Sequence, residues 1–234
     1  KVIERFYADD GGLRLGLAKE RMDAPDLREP ESRHHGLRFG TFLSERDHAL
    51  WIDVDGTERK EKTSYYNEEE IEAVIGTLRV LRAAPGWGAF ASSGAANPEI
   101  GVISFYGSQT RRLQERIKAE FGDGGIACRV KPVDKFQGME RDIVIVSLVR
   151  SSRFEDETGR LSRNTRIGFA QDYRRINVAF SRAKRLLVIV GSRGHFCRGE
   201  EGLSSRYYRE IWEGIDARSG VRGAEMLMAS LEAE

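Results

Sequence analysis

The run Ile-Val-Ile-Val-Ser-Leu occupies residues 143–148, and a second run, Leu-Leu-Val-Ile-Val, occupies residues 186–190. Both runs are short, continuous and rich in β-branched residues, which is typical of strands buried on both faces in the centre of a parallel sheet. A segment with helical periodicity lies between them. These runs therefore predict βα units and decide the fold class.

The same alternation continues through the rest of the chain from Leu50 onward. Short apolar segments predict strands, and segments with apolar residues at steps of three and four predict helices. The predicted strands are 50–54, 100–105, 126–131, 143–148 and 186–190, and the predicted helices are 67–82, 109–121, 173–183 and 204–217. We expect an α/β fold with a doubly wound, mainly parallel sheet and helices on both faces.

Stretches without sustained periodicity lie at residues 11–40, 83–98 and 151–166, and the first and third of them are charged. They predict loops or insertions. We expect three parts: an N-terminal segment with a long charged loop at 1–49 that belongs to the same domain, one principal domain at 50–220, and a C-terminal helix or tail at 221–234. Because the chain begins with Lys1 and not with Met, we also expect it to be a piece of a longer polypeptide.

The charge composition leaves the partner open. The formal net charge is +1, so no field of one sign indicates a nucleic acid. Thirty of the 38 basic residues are arginine, the side chain that binds phosphate in a bidentate manner. The compositional bias of an Arg-rich proteome explains this count at least equally well, so only the positions of individual arginines indicate a function.

Several classes of site and location are disfavoured. The two cysteines, Cys128 and Cys197, form neither a disulfide framework nor a zinc ligand set, which favours the cytoplasm. The apolar runs are too short to span a bilayer, so we expect no membrane partner. His34 and His35 have no companion ligands at usable spacing, and we interpret them as surface loop residues without a metal. The sequence has no GxxxxGK[ST], GxGxxG, HExxH or GxSxG motif.

The stretch Val-Asp-Lys-Phe-Gln-Gly-Met-Glu-Arg-Asp at residues 133–142 is a polar connection between two predicted strands. Gln137 offers a donor and an acceptor, and Gly138 allows close approach by a backbone or a phosphate. Glu140 is placed to orient a hydroxyl or a water. Loops at strand ends are where open α/β sheets bind ligands, so this loop is a candidate site.

The stretch Arg-Arg-Ile-Asn-Val-Ala-Phe-Ser-Arg-Ala-Lys at residues 174–184 precedes the last central strand. Arg175 and Arg182 are seven residues apart, which places them on one face of the predicted helix. A solvated basic helix is an equally good interpretation of this pattern alone.

A third stretch, residues 101–113, places Tyr106 where a buried strand ends and a helix begins. An aromatic ring at a strand end can stack on a base. A core tyrosine with a solvated hydroxyl is the commoner alternative.

Together and in this order, the three stretches resemble motifs IV, V and VI of the superfamily 1 helicases, in particular the group typified by the RNA-surveillance helicase of nonsense-mediated decay. Ile-Gly-Phe at 167–169 resembles the start of motif VI, and Ser-Tyr-Tyr-Asn-Glu-Glu-Glu at 64–70 resembles the lead-in to the helix before motif IV. The resemblance covers residues 51–192 and implies a RecA-like second motor domain.

The resemblance also implies roles for individual residues. Arg182 matches the arginine finger that contacts the γ-phosphate of ATP, and Arg175 of the same motif is assigned with it to ATP. Gln137, Gly138 and Glu140 match the motif V positions near the phosphates and the sugar, so Arg182, Gln137 and Glu140 form the implied catalytic set. Further assignments are Tyr106 beside the nucleotide, and Ser104, Lys135 and Arg111 at the nucleic-acid backbone.

Two positions depart from the family pattern. Glu68 stands where some relatives carry an arginine directly after the asparagine, which puts a phosphate contact there in doubt. Motif IV begins Phe-Tyr-Gly instead of the more usual Pro-Tyr, which weakens the assignments of Ser104 and Arg111.

The resemblance predicts half of an ATP-dependent DNA or RNA helicase. ATP with Mg²⁺ is the expected cofactor, and the metal ligands and the P-loop are expected on an N-terminal RecA-like domain of the same polypeptide. Single-stranded DNA or RNA is the expected partner. The alternative is a non-catalytic RecA-like module that binds nucleic acid or a protein. A Rossmann-like small-molecule enzyme is disfavoured because the chain lacks a glycine-rich cofactor loop.

Overall fold

A six-stranded parallel sheet organises the fold. The computed structural model describes residues 35–88, 98–197 and 203–233, and most of the predicted N-terminal segment, including His34, lies outside the described residues. In chain order the strands are β1 (Ala49–Asp53), β2 (Thr57–Glu61), β3 (Ser64–Asn67), β4 (Ile100–Ser104), β5 (Cys128–Pro132), β6 (Arg141–Ser147), β7 (Arg153–Glu155), β8 (Leu161–Arg163), β9 (Ala183–Gly191) and β10 (Val221–Gly223).

The helices lie between these strands. They are α1 (Glu68–Ala83), α2 (Gly107–Phe121), α3 (Tyr173–Phe180), α4 (Arg193–Phe196), α5 (Leu203–Asp216) and α6 (Ala224–Glu232). Two 3-10 turns, Val133–Lys135 and Gly168–Gln171, complete the elements that matter for function.

The strand order in the main sheet is β10-β1-β9-β6-β4-β5, and every neighbouring pair is parallel. The two apolar runs that decide the fold class are adjacent, because Ile143 of β6 pairs with Leu186 of β9. The predicted α/β fold with a parallel sheet is therefore confirmed, and all four predicted helices are present with boundaries shifted by at most three residues.

Alternate residues of the central strands supply two separate apolar cores. One core contains Val102, Ile145 and Val188 and lies under α1, α2 and α6. The other contains Ile103, Val144 and Ile189 and lies under α3, α5 and the turn at Val133–Lys135. Because side chains alternate across a strand, this division places helices on both faces of the sheet, as predicted.

The first helix begins where the sequence predicts. The Asn67 side chain accepts a hydrogen bond from the Glu70 backbone N–H at 3.1 Å, so Asn67 is the N-cap. The apolar residues that recur along α1, Ile71, Val74, Ile75, Leu78 and Leu81, are buried against the sheet. Capping and burial thus fix this helix on one face.

A second, four-stranded sheet with the order β3-β2-β7-β8 was not predicted. Residues 151–166 were expected to be a loop, but β7 and β8 form an antiparallel hairpin there, and β2 pairs with β7 in parallel. These strands have only three to five residues, and β2 reads Thr-Glu-Arg-Lys-Glu. Such short polar strands carry no alternation of apolar residues, which is why sequence patterns miss them.

Both ends of the described chain add to the main domain. β10 pairs with β1 at the edge of the main sheet, and Leu227 of α6 packs beside Gly76 of α1. His35 is buried, and its Nε2 lies 2.8 Å from the Asp47 carbonyl oxygen. The expectation that His35 is a surface loop residue was therefore wrong, because the ring joins a buried hydrogen-bond network.

Candidate functional site

Residues 133–140 cross one face of the main sheet. β5 and β6 are both parallel to β4, so the chain must return from the carboxyl end of β5 to the amino end of β6. Val133 and Phe136 are buried, and the Phe136 ring covers Gly101 so closely that a Cβ there would overlap it. Asp134, Lys135, Gln137 and Glu140 are exposed. Two apolar anchors thus hold a polar loop on the sheet face instead of at its carboxyl edge.

Gly138 turns this loop. Its φ of +77° lies in the left-handed region that favours glycine, and no atom lies within 4 Å of the position that a Cβ would take. The backbone around Gly138 is therefore open, with Gln137 before it and Glu140 after it. A ligand can approach the main chain closely at this point.

Helix α3 lies beside the loop. The Asp172 side chain accepts from the Arg174 backbone N–H at 3.0 Å and caps the helix, and Ile176, Ala179 and Phe180 are buried against the sheet. The helix ends at Phe180, so Arg182 lies in the turn before β9 and not on the helix. The prediction that Arg175 and Arg182 share one helix face was wrong, because the helix stops two residues before Arg182.

Two contacts join α3 and its following turn to the loop. At one end, Arg175 Nε and Nη2 donate to Asp134 Oδ1 and Oδ2 at 3.0 and 3.2 Å. At the other end, the Arg141 backbone N–H donates to the Arg182 carbonyl oxygen at 3.0 Å. Gln137, Gly138 and Glu140 lie on the chain between these two contacts, so the structure brings the stretches 133–142 and 174–184 together.

The Arg182 guanidinium is half-buried and bonded only to its own turn among the described residues. Its Nε and Nη2 donate to Ser181 Oγ at 3.0 and 2.6 Å, and Nε also donates to the Val178 carbonyl oxygen at 3.2 Å. None of the carboxylates in the described ranges forms an ion pair with it. A guanidinium held by neutral acceptors keeps its full charge available for an anion.

Tyr106 lies in an aromatic cluster at the carboxyl end of β4. It is buried, and its hydroxyl accepts from the Phe169 backbone N–H at 3.1 Å and from Arg150 Nη1 at 3.4 Å. Its ring centroid lies 5.5 Å from that of Tyr65 and 5.6 Å from that of Phe169. Burial raises the pKa of the Tyr106 hydroxyl. Its predicted contact with a nucleotide remains a prediction, and the observed neighbours are protein groups.

A buried ion pair contacts the Tyr106 hydroxyl and the Tyr65 ring of this cluster. Arg150 Nε donates to Glu58 Oε2 at 2.7 Å, and the Arg150 guanidinium lies 4.3 Å from the centroid of the Tyr65 ring. Burial raises the pKa of Glu58, while Arg150 opposes that shift. Sequence analysis missed this pair, because Glu58 and Arg150 lie 92 residues apart on segments that no local pattern connects.

A second buried carboxylate joins α1 to β6. Glu70 Oε2 accepts from Ser147 Oγ at 2.6 Å, and both carboxylate oxygens accept from the Val149 backbone N–H at 2.9 Å. Burial raises the Glu70 pKa to about 8. Val149 has a φ of +74°, which is rare for a β-branched residue. The only signal for this contact is that Glu70 follows the N-cap Asn67 by three residues, the position of a capping-box acid.

The three predicted nucleic-acid residues lie apart. Lys135 is on the polar loop, whereas Arg111 is on α2 at the opposite sheet face and donates to both carboxylate oxygens of Glu61 at 2.9 Å. Ser104 is 0% exposed, and its Oγ accepts from the Tyr106 backbone N–H at 3.4 Å. A contact with a nucleic-acid backbone needs an accessible hydroxyl, so the buried position of Ser104 does not favour its predicted role.

Two further findings concern the residues that the structure describes. They contain no cluster of three or more His, Cys, Asp or Glu side chains arranged to hold a metal ion. Their helices include none with the length and apolar character needed to cross a membrane.

Comparisons with known proteins agree with this architecture. Residues 18–194 match the family model described as an AAA domain. The chain is 36% identical over 151 residues to the DNA polymerase alpha-associated DNA helicase A of Saccharomyces cerevisiae. The aligned region covers 61% of this chain and 19% of that protein. It is 34% identical over 144 residues to an uncharacterized ATP-dependent helicase of Methanocaldococcus jannaschii, covering 61% of this chain and 17% of that protein.

A third relative is the probable helicase senataxin of Homo sapiens, which is 34% identical over 143 residues, or 61% of this chain and 5% of that protein. The chain thus spans less than a fifth of the length of each of these relatives. The family match covers most of the chain and includes the loop at 133–140, α3 and Arg182. The chain therefore belongs to the AAA domain family, as a RecA-like domain of the superfamily 1 helicases of the RNA-surveillance type.

Proposed function

We propose that the chain is the second motor domain of an ATP-dependent helicase or translocase acting on single-stranded nucleic acid. It completes an ATP site whose P-loop belongs to another domain of the same polypeptide. The observation that carries this proposal is the placement of Arg182 beside the polar loop: its carbonyl oxygen accepts from Arg141, and its guanidinium has only neutral acceptors among the described residues.

The donor set fits a nucleoside triphosphate. Phosphate oxygens carry the negative charge that an uncompensated guanidinium stabilises, and Arg182 supplies such a group. Gln137 and Glu140 lie on the open loop, where an amide and a carboxylate can hold a water molecule and a ribose hydroxyl. Bound ATP with Mg²⁺ supplies the phosphoryl group, and the Mg²⁺ ligands belong to the P-loop domain in this proposal.

Arg182 acts on the transferring phosphoryl group when the two domains close. Charge concentrates on the phosphoryl oxygens in the transition state, so a finger arginine lowers the barrier by about 4–7 kcal/mol. The same closure changes the spacing between two nucleic-acid contacts, one on each domain, and ATP turnover then moves the protein along a strand. In this proposal the two contacts that join the loop to α3 and its following turn transmit this movement, because they connect both ends of the segment that carries Gln137 and Glu140 to Arg175 and Arg182.

The test is steady-state ATP hydrolysis by the full-length protein with Arg182→Ala. We expect kcat to fall by about a thousandfold to a hundred-thousandfold, with a much smaller change in KM, because the finger acts mainly in the transition state. Arg182→Lys restores only part of the rate, since an ammonium lacks the planar fork. Arg206→Ala is the matched control: this arginine pairs with Glu210 on α5. An unchanged turnover number for Arg182→Ala rejects the assignment.

The isolated chain provides a second test. It carries half of each site in this proposal, so we expect no appreciable ATPase activity and weak, salt-sensitive binding of single strands. Robust hydrolysis by the 234-residue chain alone contradicts the shared site. In the full-length protein, comparing stimulation of hydrolysis by single-stranded DNA and by single-stranded RNA identifies the nucleic acid.

A further inference from the structure

Two exposed aromatic rings lie near the start of α3. Phe169 is 56% exposed and Tyr173 is 46% exposed, and they are two of only four large hydrophobic side chains exposed in the described ranges. The other two, Leu161 and Met228, lie on β8 and α6. A ring that stays exposed gains less from folding than a buried ring does, and two such rings within five residues form a candidate binding surface.

The Phe169 ring is positioned by contacts with the buried Tyr106 side chain. Its backbone N–H donates to the buried Tyr106 hydroxyl at 3.1 Å, and its ring centroid lies 5.6 Å from the Tyr106 ring. Gly168 precedes it with a φ of +66°, packed so closely on Tyr106 and Arg150 that no Cβ fits. A preorganised ring loses little conformational entropy when a ligand stacks on it. Phe169 is therefore a rigid aromatic platform.

Each ring has a guanidinium beside it. The Arg175 Cζ lies 5.2 Å from the Phe169 ring centroid, and the Arg174 Cζ lies 5.6 Å from the Tyr173 ring centroid. Arg174 Nε also donates to the Tyr173 hydroxyl at 3.2 Å. Aromatic rings alternating with cationic groups are the combination that binds a single strand, whose bases stack while its phosphates contact the cations.

The charges around the rings fit an anionic strand. Two carboxylates beside the rings are already engaged: Asp134 pairs with Arg175, and Asp172 accepts from the Arg174 backbone N–H at the start of α3. In the part of the chain that the structure describes, neither Arg174 nor Lys135 has an ion-pair partner. These two cations remain available for phosphates, whereas an uncharged apolar partner would leave them desolvated and unpaired.

We propose that Phe169 and Tyr173 form a stacking surface for unpaired bases of a single nucleic-acid strand, with Arg174 and Lys135 contacting its phosphates. This inference rests on the proposed function, since it names a further contact between the motor domain and its strand. It adds base stacking to backbone contacts on the polar loop. The strand then lies across the start of α3, close to the Asp134–Arg175 contact that links motifs V and VI.

The test measures binding of fluorescein-labelled strands of about 15 nucleotides to the 234-residue chain by fluorescence anisotropy. The probes are oligothymidine, oligouridine and an abasic strand of the same length. The wild-type chain should bind the abasic strand more weakly than either normal strand. Phe169→Ala should weaken binding of the normal strands about five- to hundredfold, with an unchanged salt dependence and no effect on the abasic strand.

Matched variants separate stacking from general loss of apolar surface. Phe169→Leu should weaken binding as Phe169→Ala does, and Phe169→Trp should retain it, because only an aromatic ring offers a π-face. Met228→Ala removes another exposed apolar side chain, on α6 at the opposite sheet face, and should change nothing. Arg174→Ala should lower the slope of log affinity against log salt by about 0.7, since it removes one phosphate contact.

Three outcomes overturn the inference, and they differ in what else they overturn. If the wild-type chain binds none of the strands even at low salt, this inference fails, and ATP hydrolysis by the full-length protein with Arg182→Ala still tests the proposed function separately. If it binds normal and abasic strands equally and Phe169→Ala has no effect, only the stacking surface fails. If Phe169→Ala leaves strand binding unchanged but weakens the binding of ATP, and does not weaken the binding of inorganic tripolyphosphate, then the ring stacks on adenine. The strand assignment is then wrong.

Discussion

Arg150 Nε lies 2.7 Å from Glu58 Oε2, with the two side chains 8% and 1% exposed. Glu58 belongs to β2 of the small sheet, and Arg150 follows β6 of the main sheet, so this ion pair joins the two sheets. The same carboxylate oxygen accepts from the Ser151 backbone N–H at 2.8 Å and from Asn164 Nδ2 at 3.1 Å. Arg150 also supports Tyr106 and, through its hydroxyl, the Phe169 platform.

Arg150→Met should lower the free energy of unfolding by about 3–5 kcal/mol, because it leaves the Glu58 carboxylate buried without its cation. Urea denaturation measures the change. The double variant Glu58→Gln with Arg150→Met should lose less than the sum of the two single variants, since neither charge is then unpaired. Arg79→Ala is the control, because its pair with Glu120 is partly exposed and should be worth under about 1 kcal/mol. Additive losses in the double variant contradict the coupling.

Gly168→Ala should destabilise the chain more than Gly159→Ala does. Both glycines have a positive φ, +66° and +82°, so both substitutions introduce the same left-handed strain of about 1–2 kcal/mol. Only at Gly168 does a Cβ meet other atoms, among them Arg150 Nη1 at 2.5 Å, whereas nothing lies within 4 Å at Gly159. The difference in urea midpoint between the two variants therefore measures the packing under Phe169. Equal midpoints reject close packing there.

The central strands and the polar loop were predictable because their signals are local. The runs at 143–148 and 186–190 are continuous and β-branched, so their burial on both faces follows from the sequence alone. The loop at 133–142 and the stretch at 174–184 carry polar and basic residues beside these runs, and the fold brings them together through Asp134 with Arg175 and Arg141 with Arg182.

The remaining features depend on tertiary contacts that no local pattern reports. Helix α3 ends at Phe180, because Ser181 adopts φ −97° and ψ 0°. Ala183, which was predicted to end the helix, is instead the first residue of the nine-residue strand β9. Tyr106 is enclosed because Tyr65, Phe169 and Arg150 arrive from three distant segments. The small sheet forms from strands too short and too charged to show a period of two.

Lys135→Ala and Arg111→Ala should separate the two predicted cationic contacts with nucleic acid. Lys135 is exposed on the polar loop and has no ion-pair partner among the described residues, so its loss should lower the salt slope of single-strand binding by about 0.7. Arg111 is on the other face of the sheet and pairs with Glu61 and Glu115, so its loss should leave the slope unchanged. Anisotropy titrations across a range of salt concentrations give both slopes. A slope that changes for Arg111→Ala and not for Lys135→Ala places the strand on the opposite face.

His195 should make the stability of the chain fall in mild acid. The ring is buried, with Nε2 3.2 Å from the Arg166 carbonyl oxygen and Nδ1 3.4 Å from Ser152 Oγ, and burial lowers its pKa from 6.5 to about 4. The unfolded chain therefore binds a proton as the pH falls below about 6.5, while the folded chain does not until about pH 4. The stability that the neutral ring contributes is fully present above pH 6.5 and is lost between these two values.

His195→Gln should flatten this dependence, because glutamine can donate to the Arg166 carbonyl oxygen but does not titrate. Urea unfolding at several pH values between about 7.5 and 4.5 gives the slope of the free energy of unfolding against pH. Each titrating group contributes at most about 1.4 kcal/mol per pH unit to this slope. Part of the slope should persist in the variant, since burial also lowers the pKa of His35 to about 4. A His195→Gln slope equal to that of the wild type means that the ring binds its proton over the same pH range in the folded and unfolded chains, which contradicts the lowered pKa of the buried ring.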